Sequence, residues 1–167
     1  TATRVAPPAP VNLVADPGFE AGVSNFEAQD ASSAVAQSAA QPLAGDHSLA
    51  VSINGYGNNV WWGYPFHGGK ASALTVAAHL RSDVESASTL QFCAMVYFAD
   101  GDAISQCVPV VGAVGDKGVV SAALSIDPTR SLASAWIRLY QEGSSPVSFT
   151  LDDADSIEVA GRSSHVL

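Results

Sequence analysis

Basic residues are scarce in this chain: 7 Lys and Arg stand against 16 Asp and Glu among 167 residues, for a formal net charge of -9. Binding nucleic acid by neutralising its phosphates needs clustered bases. No run of Lys or Arg occurs, which excludes that class. Long apolar runs are missing too, since Ser, Gly or a charge interrupts each one, so no stretch reads as a bilayer-crossing helix and no membrane partner is expected. Charged residues amount to only 14% against 47% hydrophobic. Ser, Thr, Gly, Asn and Gln must therefore cover much of the surface, a composition common in secreted β-proteins.

A sustained helical period is also lacking. What recurs is period-two alternation punctuated by Gly and Asn turns at Asn54-Gly55, Gly68-Gly69, Asp100-Gly101, Gly115-Asp116 and Glu142-Gly143. Strands are expected near 11–14, 33–38, 47–54, 58–66, 71–82, 89–99, 103–111, 117–126, 133–142 and 147–159. About ten strands with short connections and little or no helix describe an all-β, two-sheet antiparallel sandwich of the jelly-roll kind. Residues 1–11 read as a stiff Ala/Pro linker, 12–160 as one domain and 161–167 as a tail without strand period. Thr1 to Pro10 lack the apolar core of a signal peptide, so the chain is expected to begin after a processing site or an upstream domain.

Only two cysteines are present. Cys93 and Cys107 flank the turn Ala99-Asp100-Gly101-Asp102, and a hairpin centred near Asp100 sets them opposite each other. A disulfide there would stabilise the fold by roughly 3 kcal/mol in the chain-entropy model and would imply an oxidising, extracellular compartment. The alternative is a pair of free buried thiols in a cytosolic protein.

Alternation also assigns faces. In 133–142, Ala135, Ile137 and Leu139 form an apolar row, leaving Trp136, Arg138 and Tyr140 on the other side. In 58–66, Val60, Trp62, Tyr64 and Phe66 point inward and Trp61 outward. In 89–99, Phe92, Ala94, Val96 and Phe98 are internal, with Gln91, Cys93, Met95 and Tyr97 outside. Large outward aromatics on three strands mark an interaction surface unless loops or a neighbouring domain cover them. Sugar rings suit such a surface, because their C–H faces stack on indole and phenol while their hydroxyls bond to polar neighbours. Trp61, Tyr97, Trp136 and Tyr140, with Arg138 and Gln91 between them, offer both contacts.

Two acidic motifs lie near the ends of the domain. Asn12-Leu13-Val14-Ala15-Asp16-Pro17-Gly18-Phe19-Glu20 opens it, and Phe149-Thr150-Leu151-Asp152-Asp153 lies in its last strand. Between them come Gly45-Asp46-His47-Ser48-Leu49-Ala50-Val51 and Gly69-Lys70. In this order the motifs resemble those of carbohydrate-binding modules of families four, nine and twenty-two, with a galactose-binding-like β-jelly-roll, although Asp16 replaces the usual Asn. The resemblance implies a non-catalytic module that binds a polysaccharide or oligosaccharide, such as a plant or microbial cell-wall glycan, on a concave sheet. Such a module targets an attached secreted polysaccharide-degrading enzyme, as a single copy joined to a catalytic domain. It also implies a structural calcium held by Glu20 and Asp152 with carbonyls of Gly18 and the Gly45 turn, a donor set that suits a hard cation. Otherwise Asp152, Asp153 and Asp155 are solvated strand residues and Glu20 pairs with a base. Many such modules carry a Trp near position 119, where this chain has Gly118-Val119-Val120. That departure leaves the identity of the glycan open.

Enzymatic alternatives are a jelly-roll polysaccharide lyase or a glycoside hydrolase. Glu27, Asp30, Asp83, Glu85, Asp100, Asp102 and Glu142 mostly fall at turns or strand ends, and His47, His67, His79 and His165 lack metal-ligand spacing. A lyase would combine Arg138 and Tyr140 with a base such as His79, which alternation assigns to the other sheet. A structural or adhesion sandwich is the remaining alternative.

Overall fold

The computed structural model describes residues 11–29, 31–54, 59–83, 90–110 and 115–160. Ten strands run in chain order as β1 (Glu27–Ala28), β2 (Ala34–Ser38), β3 (Ser48–Ile53), β4 (Asn59–Gly69), β5 (Ala71–Ser82), β6 (Leu90–Phe98), β7 (Ala103–Pro109), β8 (Lys117–Ser125), β9 (Leu132–Gln141) and β10 (Val147–Ala160). They form two five-stranded antiparallel sheets, ordered β1-β4-β9-β6-β7 and β2-β3-β10-β5-β8. No helix occurs among the described residues. The expected all-β sandwich is the observed fold.

Each inner sheet face supplies half of the core. Phe92, Ala94, Val96 and Phe98 of β6 and Ala135, Ile137 and Leu139 of β9 are buried against Leu49, Val51 and Ile53 of β3, Leu74, Val76 and Ala78 of β5, and Phe149 and Leu151 of β10. Apolar side chains repeat every second residue because neighbouring residues on a strand face opposite sides. Burying one such row stabilises each strand by about 1.5–3 kcal/mol per large side chain. The opposite row is left free to carry function.

Two expectations about the elements need correction. Residues 11–14 do not form a strand, because the Asn12 side chain takes over the role of a ladder: its Nδ2 donates to Ala154 O (2.9 Å) and its Oδ1 accepts from Ser156 N (2.9 Å) and Val14 N (3.1 Å). The β10 groups need partners because β3 pairs with β10 only as far as Leu151, beyond which β10 is irregular between Asp152 and Asp155, with Asp153 at φ 46°. Ala154 N–H donates to Pro17 O at 3.0 Å, and Leu13 N–H to Ser156 O at 2.8 Å. The tenth strand is instead the two-residue β1, which pairs with β4. Gly68-Gly69 is not a turn either: β4 continues to Gly69, with a register shift between Pro65 and Gly69 against β9. The expected linker and tail lie outside the described residues, apart from Val11, as does the turn at Gly55.

Candidate functional site

The outer face of the β4-β9-β6 sheet gathers all six residues expected to bind ligand. Trp61 pairs across the ladder with Arg138, Asn59 with Tyr140 and Gly63 with Trp136, while Gln91 of β6 lies opposite Tyr140 and Met95 opposite Trp136. Register thus converts three separate alternations into one patch. Trp136 stands at its centre, with Trp61 and Tyr97 each 6.3 Å away, edge to face at 90° and 75°. Tyr97 is 38% exposed, so its ring is open to a partner.

Trp136 depends on a residue that sequence reasoning missed. A Cβ added at Gly63 would lie 2.7 Å from Trp136 Cζ3 and 2.9 Å from Cε3 and Cη2. The indole therefore rests on bare backbone of the adjacent strand. Its Nε1–H donates to Ser134 Oγ at 2.8 Å, which fixes the rotation of the ring.

Polar groups around the rings are equally ordered. Arg138 Nε donates to Asn59 Oδ1 at 2.7 Å, Asn59 Nδ2 donates to Gln29 Oε1, and the guanidinium lies 4.7 Å from the centre of the Tyr140 ring. Tyr140 Oη donates to Glu142 Oε1 (3.0 Å) and Gln91 Nε2 to Glu142 Oε2 (3.3 Å). Glu142, expected to be a solvated turn acid, orients both residues. Two open clefts meet at the Trp61–Trp136 pair. One, of about 330 Å³, adds Gln29, Asn59, Met95, Tyr97 and Arg138; the other, of about 320 Å³, adds Asn25, Glu27, Gly63, Tyr64, Pro65 and Ser134.

The expected hairpin disulfide is present. Cys93 and Cys107 are cross-strand partners on β6 and β7 with Cα atoms 4.1 Å apart, and the bridge lies on the same outer face, with Cys93 opposite Arg138 on β9. His79 lies on β5 in the other sheet, where its Nδ1 is 3.4 Å from Asp153 Oδ2. The trio Arg138, Tyr140 and His79 is therefore not assembled.

Both acids expected to bind metal converge on the turn at residues 44–48. Asp152, 0% exposed, accepts from Ala44 N (2.9 Å) and Ser48 Oγ (2.7 Å) through Oδ2, and from Asp153 N (2.9 Å) through Oδ1. Glu20 Oε1 accepts from Asp46 N (2.9 Å) and His47 N (3.3 Å), with Oε2 3.1 Å from His47 Nδ1. The bond to the His47 ring, helped by these amides, holds the Glu20 carboxyl below the usual glutamate range. Gly45, at φ +58°, admits the carboxylate: a Cβ there would meet Glu20 Oε1 at 1.9 Å. A Cβ at Gly18 would lie 3.8 Å from Glu20 Cγ and 4.0 Å from Asp152 Oδ1, so bare backbone separates the two acids. Among the described residues no group of three or more His, Cys, Asp or Glu side chains gathers for a metal. Asp16 caps this loop, accepting from Glu20 N (3.2 Å) and Ala21 N (2.8 Å).

No protein-family model matches the chain, and no curated protein matches it in sequence. Solved structures match it in shape. The CBM22-1 xylan-binding domain of Xyn10C from Paenibacillus barcinonensis is similar with a TM-score of 0.70 and 18% identity, over 93% of this chain and 99% of that one. The CBM22-1 and GH10 modules of xylanase Xyn10B from Clostridium thermocellum, solved with xylohexaose, match with a TM-score of 0.68 and 13% identity, over 90% of this chain and 29% of that one. TmCBM61, solved with β-1,4-galactotriose, matches with a TM-score of 0.56 and 12% identity, over 89% of this chain and 99% of that one. The fold is thus the β-sandwich found in carbohydrate-binding modules.

Proposed function

We propose that this protein is a non-catalytic carbohydrate-binding module that holds a polysaccharide or oligosaccharide on the outer face of β4, β9 and β6. The observation that carries the reading is the contiguous row Trp61–Trp136–Tyr97, beside the ordered pair Arg138–Tyr140, lining two open clefts of one sheet. Rings held edge to face leave broad apolar surfaces for sugar C–H groups, and fixed polar side chains nearby can read hydroxyls. Trp61, Trp136, Tyr97 and Tyr140 stack, while Gln91 and Arg138 hydrogen-bond. Of three solved structures of the same fold, one is described as a xylan-binding domain and two as complexes with xylohexaose or β-1,4-galactotriose, which supports a glycan ligand. The module acts as a single copy outside the cell and brings an attached polysaccharide-degrading enzyme to a plant or microbial cell-wall glycan. Its disulfide suits that oxidising setting.

A structural calcium belongs to the same proposal. A Cβ at Gly18 would stand 3.8 Å from Glu20 Cγ and 4.0 Å from Asp152 Oδ1, Glu20 Oε1 lies over Gly45, and carboxylates with main-chain carbonyls are the hard oxygen donors that Ca²⁺ takes. Bound there, it ties the N-terminal loop and the residue 44–48 turn to β10.

Affinity electrophoresis against soluble β-glucans, xylans, mannans and polyuronates tests the reading, with reducing-sugar and unsaturated-product assays alongside. Retarded migration without product formation is expected. Product formation would establish a lyase or hydrolase, and absence of binding throughout the panel would leave a structural sandwich.

A further inference from the structure

The two clefts that meet at Trp61 and Trp136 differ in charge. Among the described residues lining the first, Arg138 carries the one full charge; in the second, that residue is Glu27. No carboxylate among the described residues forms an ion pair with Arg138. The neighbouring carboxylate, Glu142, takes Tyr140 Oη and Gln91 Nε2 instead. Across the ladder Arg138 is flanked by Trp61 and by disulfide-bonded Cys93, neither of which carries a charge to neutralise it.

We propose that the first cleft takes a sugar bearing a carboxylate, a uronic acid in the chain or as a substituent, bound end-on by Arg138. The inference rests on the reading of this face as glycan-binding. Its geometry is specific. Asn59, itself only 4% exposed, occupies Nε, and the Tyr140 ring lies under the guanidinium. With Nε committed, the two Nη groups remain as the parallel donors that match a carboxylate. The net charge of -9 opposes an acidic polymer only from afar, because exposed charges are screened beyond about 8–10 Å while the contact pair is not. A stiff Asn59–Arg138 arrangement also reduces the ordering cost of the bond. The second cleft, with Glu27, favours a neutral sugar, so sparsely acidic chains fit better than uniform polyuronates.

The test is calorimetric titration with a soluble xylan carrying glucuronic-acid substituents and with the same polymer after carboxyl reduction, at low and high salt. Neutral β-glucan and mannan serve as further ligands. The native acidic polymer should bind about tenfold more tightly than its reduced form, as a charged hydrogen-bonded pair implies. Arg138→Met should abolish that preference, weakening the acidic polymer about tenfold more than the reduced one. Arg138→Lys should keep the charge but lose most of the preference. Melting curves of both variants establish that they fold. Equal affinity for the two polymers in the unsubstituted protein, or Arg138→Met weakening both alike, overturns the inference and leaves the glycan reading standing. Binding to neutral glucan or mannan alone does the same. Absence of binding to every polymer removes both.

Discussion

The indole of Trp136 lies on Gly63 so closely that one added methyl group would come within 2.7 Å of its Cζ3. The best-placed aromatic of the face is therefore set by a missing side chain on the next strand. Gly63→Ala should displace the ring outward, where there is room, without breaking the sandwich. We expect a melting temperature within a few degrees of the parent and glycan affinity lowered about tenfold or more, as for loss of a central anchor. A variant that melts normally and binds normally would show that ring placement is irrelevant.

The disulfide supports the edge of the same face. Cys93→Ser with Cys107→Ser should cost roughly 3 kcal/mol, the chain-entropy value for a loop of this size. Chemical denaturation in the presence and absence of reductant measures it. Equal midpoints would contradict the role assigned to the bridge.

Asp152 accepts three hydrogen bonds while fully buried. Asp152→Ala should destabilise by about 3 kcal/mol or more, since it leaves three donors without their acceptor. If calcium is held there, EDTA should lower the melting temperature of the parent and leave the variant unmoved. No shift under EDTA, with no metal found by elemental analysis, would remove calcium from the account without touching the hydrogen-bond cost.

Acid should weaken the β6–β7 turn and the β8–β9 connection that Arg130 ties to it. The Asp102 N–H, and then the Arg130 guanidinium, hold the Asp100 carboxyl below the usual aspartate range; the Thr129 hydroxyl and N–H do the same for Asp127. A carboxyl depressed on folding stabilises at pH above its unfolded-state value, and that contribution is lost as pH falls through its folded-state value. The gap in melting temperature between the parent and Asp100→Asn should thus be widest near neutrality and close in strong acid. A gap independent of pH would mean that the ionised form gains nothing from these partners.

The faces of β4, β6 and β9 were legible from alternation because one side of each strand is committed to the core. Hence Trp61, Tyr97, Trp136, Arg138, Tyr140 and Gln91 share a sheet as expected. Gly63, Asn59 and Glu142 were not legible as partners of those residues, since their roles arise from register and side-chain contacts across or beyond the strands. The N-terminal motif had the right neighbour, β10, but by the wrong means: a side-chain clasp from Asn12 replaces a strand ladder. A two-residue strand such as Glu27–Ala28 is too short to show a period. Gly68-Gly69 resembled a turn because glycine is common in turns, whereas β4 runs through it with a register shift between Pro65 and Gly69.

The most direct measurement is calorimetric titration of the parent and of a Trp61→Ala, Trp136→Ala double variant with whichever soluble glycan the parent binds best. The double variant should fold unchanged and bind at least about a hundredfold more weakly, as expected when two stacked anchors are removed. Undiminished binding by the folded double variant would contradict that expectation and move the ligand off this face.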